Sequence, residues 1–256
     1  MNVPADMCIT RKPAIPITAS HPVRPGKTCR RIGYAPVSYT HLEGADDVVP
    51  VLDYAAAQSD PKLYLSYSDG TSILNSIWAK AGISVLYGQM PGLIPAISDY
   101  NREQFERFTA ELPRRHISNS PWRTLTPGTA QGILIGGYLH NVIFLTAMGR
   151  IPLDEKRRYV LFIEDHERFC GIESESAHIG RLEQSGVLNR TSGLLFGHYS
   201  SPVNEQLLER LRRLGERWSI PVAYCDDFGH GDNHAILPIG AKAVLDTKQH
   251  SLCYQW

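Results

Sequence analysis

Three short stretches of this sequence put a reactive side chain where chemistry could use it. In Ser66-Tyr67-Ser68-Asp69-Gly70, a serine follows the apolar run LYLSY and precedes a helical pattern. A serine hydroxyl is a weak nucleophile at neutral pH. It needs a base for its proton and backbone N–H groups for the oxyanion it generates. A tight strand-to-helix turn exposes the hydroxyl and aims the N–H of Asp69 at the developing charge. The segment partly matches the G-x-S-x-G elbow, with Ser66 in the place of the leading glycine. Ser and Asp also cap helices, so this stretch alone leaves nucleophile and cap both open. The second stretch is Glu164-Asp165, closing the apolar run YVLFI. A carboxylate there can orient a histidine and stabilise its imidazolium, or it can be a solvated strand end. The third is AYCDDFGHGDNHAILP, where His230 lies between Gly229 and Gly231 among Asp226, Asp227, Asp232 and His234. Histidine is the natural general base near neutral pH. Asp and His are also metal ligands, but the glycines break the helix that a His-x-x-x-His clamp needs. A plain polar loop is the remaining alternative.

These candidates occur in the order serine, acid, histidine, which is the order of the α/β-hydrolase triad. The elements around them alternate. LYLSY and ISVLYG predict strands, with TSILNSIWAKAG a helix between them. Ile73, Ile77 and Trp78 share that helix's face, and Gly82 stops it. NREQFERFTAEL predicts an amphipathic helix over 101–112. GGYLHNVIFLTAMG reads as an apolar helix opened by a glycine pair. YVLFIED, GLLFGHYS and PVAYCDDFG each contain a buried-type strand. Between the last two, Val203, Leu207, Leu208, Leu211, Leu214 and Trp218 form one helical face. AKAVLDTKQHSLCYQW reads as a β-hairpin. Strands alternating with helices predict an α/β fold, with sites at the carboxyl ends of strands.

Composition narrows the function classes. Lys+Arg and Asp+Glu both number 26 in 256 residues, so the formal charge is zero, which points to neither nucleic acid nor an acidic membrane as partner. Five scattered cysteines without a CxxC pair argue against a disulfide framework or structural zinc and fit a reducing compartment. The N-terminus lacks the apolar core of a signal peptide, and no run approaches the roughly 18 apolar residues of a membrane span. The expectation is a cytoplasmic protein.

Four blocks carry a family resemblance. They are VVPVLDYAAAQSDPKLYLSYSDGTSIL, GILIGGYLHNVIFLTAMG, YVLFIED and IPVAYCDDFGHGDNHAILPIGAKAVLD. In this order they resemble the serine LD-carboxypeptidases, a family that includes microcin C self-immunity peptidases. The resemblance implies a partial flavodoxin-like N-terminal domain, a β-rich α/β C-terminal domain and an active site between them. It divides the chain into an atypical, foreign or poorly ordered segment at 1–43, a nucleophile-domain remnant at 44–113, a linker at 114–131 and an acid- and base-bearing domain at 132–256. It implies Ser68 as nucleophile, Glu164 as acid and His230 as base. Asp69 N–H and Gly44 would be oxyanion donors, and Tyr67 and Gly137 substrate contacts. The implied substrate is a small peptide, a muropeptide losing a terminal D-amino acid, with no metal or other cofactor and a homodimer as assembly; the alternatives are an inactive or fragmentary paralogue that binds without turnover and a microcin C-type peptide–nucleotide amide hydrolase. Ser66 stands where the family has glycine, Gly70 where it has a β-branched residue, and Tyr138 where asparagine follows the Gly-Gly pair. Met90, Pro91 and Tyr87 are candidates for the cleft wall or for ordinary loop and core. Trp122 is a candidate for stacking on a nucleotide base or for core.

Overall fold

A computed structural model describes residues 44–89, 97–110 and 114–255. The expectations for 1–43 and for Met90 and Pro91 lie outside the described residues. The chain opens with α1 (Ala45–Val48), a short 3-10 turn and α2 (Tyr54–Ser59), followed by β1 (Leu65–Ser66), α3 (Thr71–Ala81), β2 (Val85–Tyr87) and α4 (Asp99–Ala110). It continues through β3 (Arg123–Thr126), β4 (Thr129–Tyr138), α5 (Leu139–Ala147), β5 (Tyr159–Glu164), α6 (Ile172–Gln184), β6 (Thr191–Phe196), α7 (Glu205–Trp218) and β7 (Val222–Tyr224). Three strands close it: β8 (Leu237–Ile239), β9 (Lys242–Asp246) and β10 (Ser251–Gln255).

The fold is mixed α/β, as the alternating pattern predicts. The larger sheet runs β10-β9-β4-β5-β6-β7-β3. Its four central strands are parallel, joined by α5, α6 and α7 as crossovers. Such strands are buried on both faces, and all six residues of β5 are buried, which explains its unbroken apolar run. Alternate residues serve two cores. Val160 and Phe162 join the cluster under α3 and the smaller sheet, while Tyr159, Leu161 and Ile163 join the cluster under α6 and α7. α7 starts at Asn204, whose side chain accepts from the N–H of Gln206 and Leu207, and it buries Leu207, Leu208, Leu211 and Leu214. The expected terminal hairpin is β9 and β10, antiparallel from Ser251↔Asp246 to Gln255↔Lys242.

Four features differ from the sequence reading. Gly136 and Gly137 end β4 rather than opening a helix, which begins at Leu139. The stretch 114–131 contains β3, paired with β7, and the start of β4 at Thr129. β8, well inside 132–256, leaves the large sheet and pairs antiparallel with β2, completing the small sheet β1-β2-β8. Cys253 is disulfide-bonded, whereas Cys170 and Cys225 are free thiols. Among the described residues no helix is long and apolar enough to cross a membrane.

Candidate active site

Ser68 stands where β1 ends and a 3-10 turn runs into α3. Its φ of 55° is left-handed, an uncommon conformation for a non-glycine residue that costs about 1–3 kcal/mol. Such strain at a strand-to-helix turn characterises a nucleophile elbow. Several bonds hold it. The Thr71 hydroxyl donates to Ser68 O (2.6 Å) and accepts from Tyr138 N–H (2.9 Å). Asp69 Oδ2 accepts from Ala45 N–H and Oδ1 from Asn141 Nδ2, both at 2.9 Å. Neither the Ser68 hydroxyl nor the Asp69 carboxylate caps the helix, so the capping alternative fails.

Ser68 Oγ lies 3.0 Å from His230 Nε2, and His230 Nδ1 lies 2.7 Å from Glu164 Oε2. With Nδ1–H donating to the carboxylate, Nε2 is left to accept the serine proton. Glu164 is wholly buried at the end of β5. Its other oxygen, Oε1, accepts from the Tyr87 hydroxyl at 2.5 Å, and Tyr87 Oη in turn accepts from Ser68 N–H at 3.2 Å. Burial, then the Glu164 charge, raises the Tyr87 hydroxyl well above its usual range, so it remains a donor. The glycine before His230 is required here. Gly229 has φ +105°, and a Cβ on it would lie 3.0 Å from Glu164 Cβ.

The three expected residues therefore meet, from β1, β5 and the β7–β8 loop. The Asp69 N–H follows the serine directly. Gly44 opens α1, whose first amide is bonded to Asp69, so it borders the elbow. The Tyr67 ring lies 4.6 Å from that of His230. Gly137 (φ +135°) faces α3, where a Cβ would meet Thr71 Oγ1 at 2.4 Å, so its small size serves the close approach of β4 to α3. Trp122 is core: it is buried, and its Nε1–H donates to Asp227 Oδ2 at 2.9 Å.

The acidic loop is mostly structural. Asp227 accepts from Asn119 N–H, the Ser120 hydroxyl and Trp122 Nε1–H, and contacts His116 Nε2 at 2.9 Å. Asp226 Oδ1 accepts from the Tyr224 hydroxyl and contacts His198 Nδ1. Sequence reasoning did not see what three neighbours of the site pair with. Tyr87 was read as cleft wall or ordinary core, not as a partner of Glu164. Phe169, half exposed, sets its ring 5.2 Å from that of His230. Asp165, next to Glu164, is buried near Glu175; burial raises Asp165 to about 6 with the Glu164 charge adding, and burial and then the Asp165 charge raise Glu175 to about 9. None of these pairings has a local sequence signal.

A carboxylate, an imidazole and a strained serine in hydrogen-bond sequence can perform acyl transfer. Comparisons with known proteins agree in class. Residues 131–245 match the family described as LD-carboxypeptidase C-terminal domain. A carboxypeptidase-named protein of Synechocystis sp. is 30% identical over 212 residues, covering 77% of this chain and 65% of its own. The "Probable murein peptide carboxypeptidase" of Bacillus subtilis is 27% identical, covering 80% of this chain and 66% of its own. The microcin C7 self-immunity protein MccF of Escherichia coli is 25% identical, with 80% and 68% covered. The chain thus spans about two-thirds of the length of these relatives. Solved structures share the fold: wild-type MccF without ligand (TM-score 0.70, 22% identity, covering 84% of this chain and 73% of that one) and muramoyltetrapeptide carboxypeptidase from Oxalobacter formigenes (0.68, 21%, 83% and 74%). MccF has also been solved in complex with aspartyl sulfamoyl adenosine.

Proposed function

Since this chain belongs to the serine LD-carboxypeptidase family, we propose that it removes a terminal D-amino acid from an L,D-peptide, with muropeptides as the substrate class and cytoplasmic cell-wall recycling as the setting. The observation that carries this reading is the Ser68–His230–Glu164 relay at 3.0 and 2.7 Å.

In the reaction, His230 Nε2 takes the Ser68 proton as Oγ attacks the carbonyl of the L-residue. The tetrahedral oxyanion accepts from Asp69 N–H, with the backbone at Gly44 as second donor. The amide bond breaks, and His230 returns the proton to the leaving nitrogen of the D-amino acid. A water, deprotonated by His230, then hydrolyses the acyl-serine. Glu164 keeps the imidazole oriented and stabilises its cation throughout. Tyr67 forms part of the wall beside His230.

The test is D-alanine release from an L-lysyl- or diaminopimelyl-D-alanine tetrapeptide, beside Ser68→Ala. Release that disappears in a folded Ser68→Ala protein is expected; equal release from both overturns the reading. A second reading, hydrolysis of a peptide–nucleotide amide, is favoured by one observation: the half-exposed Phe169 ring beside His230 could stack on a nucleobase. Turnover of an aspartyl or glutamyl nucleotide conjugate faster than of the tetrapeptide would select it.

A further inference from the structure

Next to the reacting groups lies a second cluster that the acyl-transfer chemistry does not use. Asp165 follows the last residue of β5. Cys170 ends the loop after it. Glu175 and His178 are three residues apart on α6, which places them on one helix face. Taking one donor atom from each, all four lie within 4.8 Å of one another. Cys170 Sγ and His178 Nδ1 are 3.3 Å apart. Asp165 and Glu175 are fully buried and Cys170 nearly so.

Outside the cluster itself and Tyr138, neither the two carboxylate oxygens of Glu175 nor Oδ2 of Asp165 has a hydrogen-bond partner among the described residues. Among the described residues no ion pair with Lys or Arg reaches either side chain. Buried polar atoms are almost always satisfied, and exceptions often mark an unseen water or ion. Two neighbouring carboxyls, a thiol and an imidazole aimed at one volume form a donor set with a definite preference. Thiolate and imidazole disfavour calcium and magnesium, and four mixed S/N/O donors suit a closed tetrahedral zinc site. Bond lengths of about 2.0–2.3 Å to zinc put ligand atoms about 3.5 Å apart, so the side chains need close only by about 1 Å.

We propose that Asp165, Cys170, Glu175 and His178 bind a divalent transition ion, zinc by donor type, that clamps the loop 165–171 to α6. This runs against the sequence expectation of no metal, which rested on the scattered cysteines, the glycine-broken histidine loop and the family resemblance. The ion takes no part in the bond-breaking step. Its effect reaches the site through the loop. Phe169 and Cys170 N–H both donate to His166 O (2.9 and 3.0 Å), and the Phe169 ring packs beside His230. Fixing Cys170 therefore fixes the wall that a substrate meets next to the base.

The test is cobalt(II) titration of the chelator-stripped full chain, followed by optical spectroscopy. The expected result is one equivalent bound, with tetrahedral d–d bands and a thiolate-to-cobalt charge-transfer band, both bleached by zinc. Cys170→Ser should abolish the charge-transfer band, and Glu175→Gln should weaken cobalt binding at least tenfold. Zinc should raise the melting temperature of the wild-type protein and not of Cys170→Ser. A wild-type protein that is folded by circular dichroism yet shows no cobalt band overturns the proposal, leaving a proton shared between Asp165 and Glu175. A charge-transfer band that survives in Cys170→Ser overturns it as well.

Discussion

The Tyr87 hydroxyl bridges Glu164 and Ser68: it donates to Glu164 Oε1 at 2.5 Å and accepts the amide of Ser68 at 3.2 Å. β2 thus couples the orientation of the Glu164 carboxylate to the backbone of Ser68. Tyr87→Phe removes the donor to a buried carboxylate, a loss of about 1–3 kcal/mol. Realised in the transition state, this is about a 10- to 100-fold fall in kcat. Because Tyr87 acts through Glu164 and Ser68, kcat should fall with KM little changed; steady-state kinetics on the tetrapeptide, with a thermal melt to verify folding, checks this.

Ser66 and Gly70 are a matched pair. A Cβ on Gly70 would lie 2.0 Å from Ser66 Oγ and 2.8 Å from Ser66 Cβ. A side chain at residue 70 therefore has no room once residue 66 is serine. Gly70→Thr should destabilise by about 1–3 kcal/mol, as overpacking does, and should lower activity. Ser66→Gly combined with Gly70→Thr should restore both. A double-mutant cycle in urea reads the coupling directly; simple additivity would refute the pairing.

Acid stability should depend on Asp227. Burial alone would raise its carboxyl, but the bonds from His116, Ser120 and Asn119 outweigh it and hold the group at about 2. A folded value below the unfolded one of about 3.9 means the stabilisation is complete above pH 4 and is lost as pH falls towards 2. The difference corresponds to about 2–3 kcal/mol. Asp227→Asn should lower neutral-pH stability by that order and flatten the stability profile between pH 4 and 2. Urea midpoints measured across this range provide the check. The variant should also slow turnover, since Asp227 ties the residues 116–122 to the loop that carries His230.

The legible features were those written in contiguous residues. The buried run of β5, the single apolar stripe of α7 and the strand–Ser–helix grammar around Ser68 all have local periodicity or turn chemistry. The order of the three reactive groups added weight that no single stretch had. Long-range pairings were not legible. Tyr87 and Glu164 lie 77 residues apart, and an apolar strand residue gives no sign that its hydroxyl serves an acid. The pairing of β8 with β2 was obscure because Leu237-Pro238-Ile239 is short and contains proline. As an edge strand it tolerates the missing N–H. β3 was hidden by the Pro, Ser and Thr content of 114–131, since its residues are partly exposed and pair only with β7.

The return of β8 to the small sheet has a consequence for how the protein is made. β1 and β2 emerge from the ribosome early, but a pair of short strands is at best marginally stable by itself. The described partner that widens their sheet is not synthesised until residues 237–239, after the loop carrying His230. The serine elbow therefore gains its supporting strand only once its base is also present. Ser68 and His230 come together in one long-range folding event, the kind that topology makes slow, and the nascent chain does not set Ser68 beside His230 on a supported turn before residues 237–239 are made.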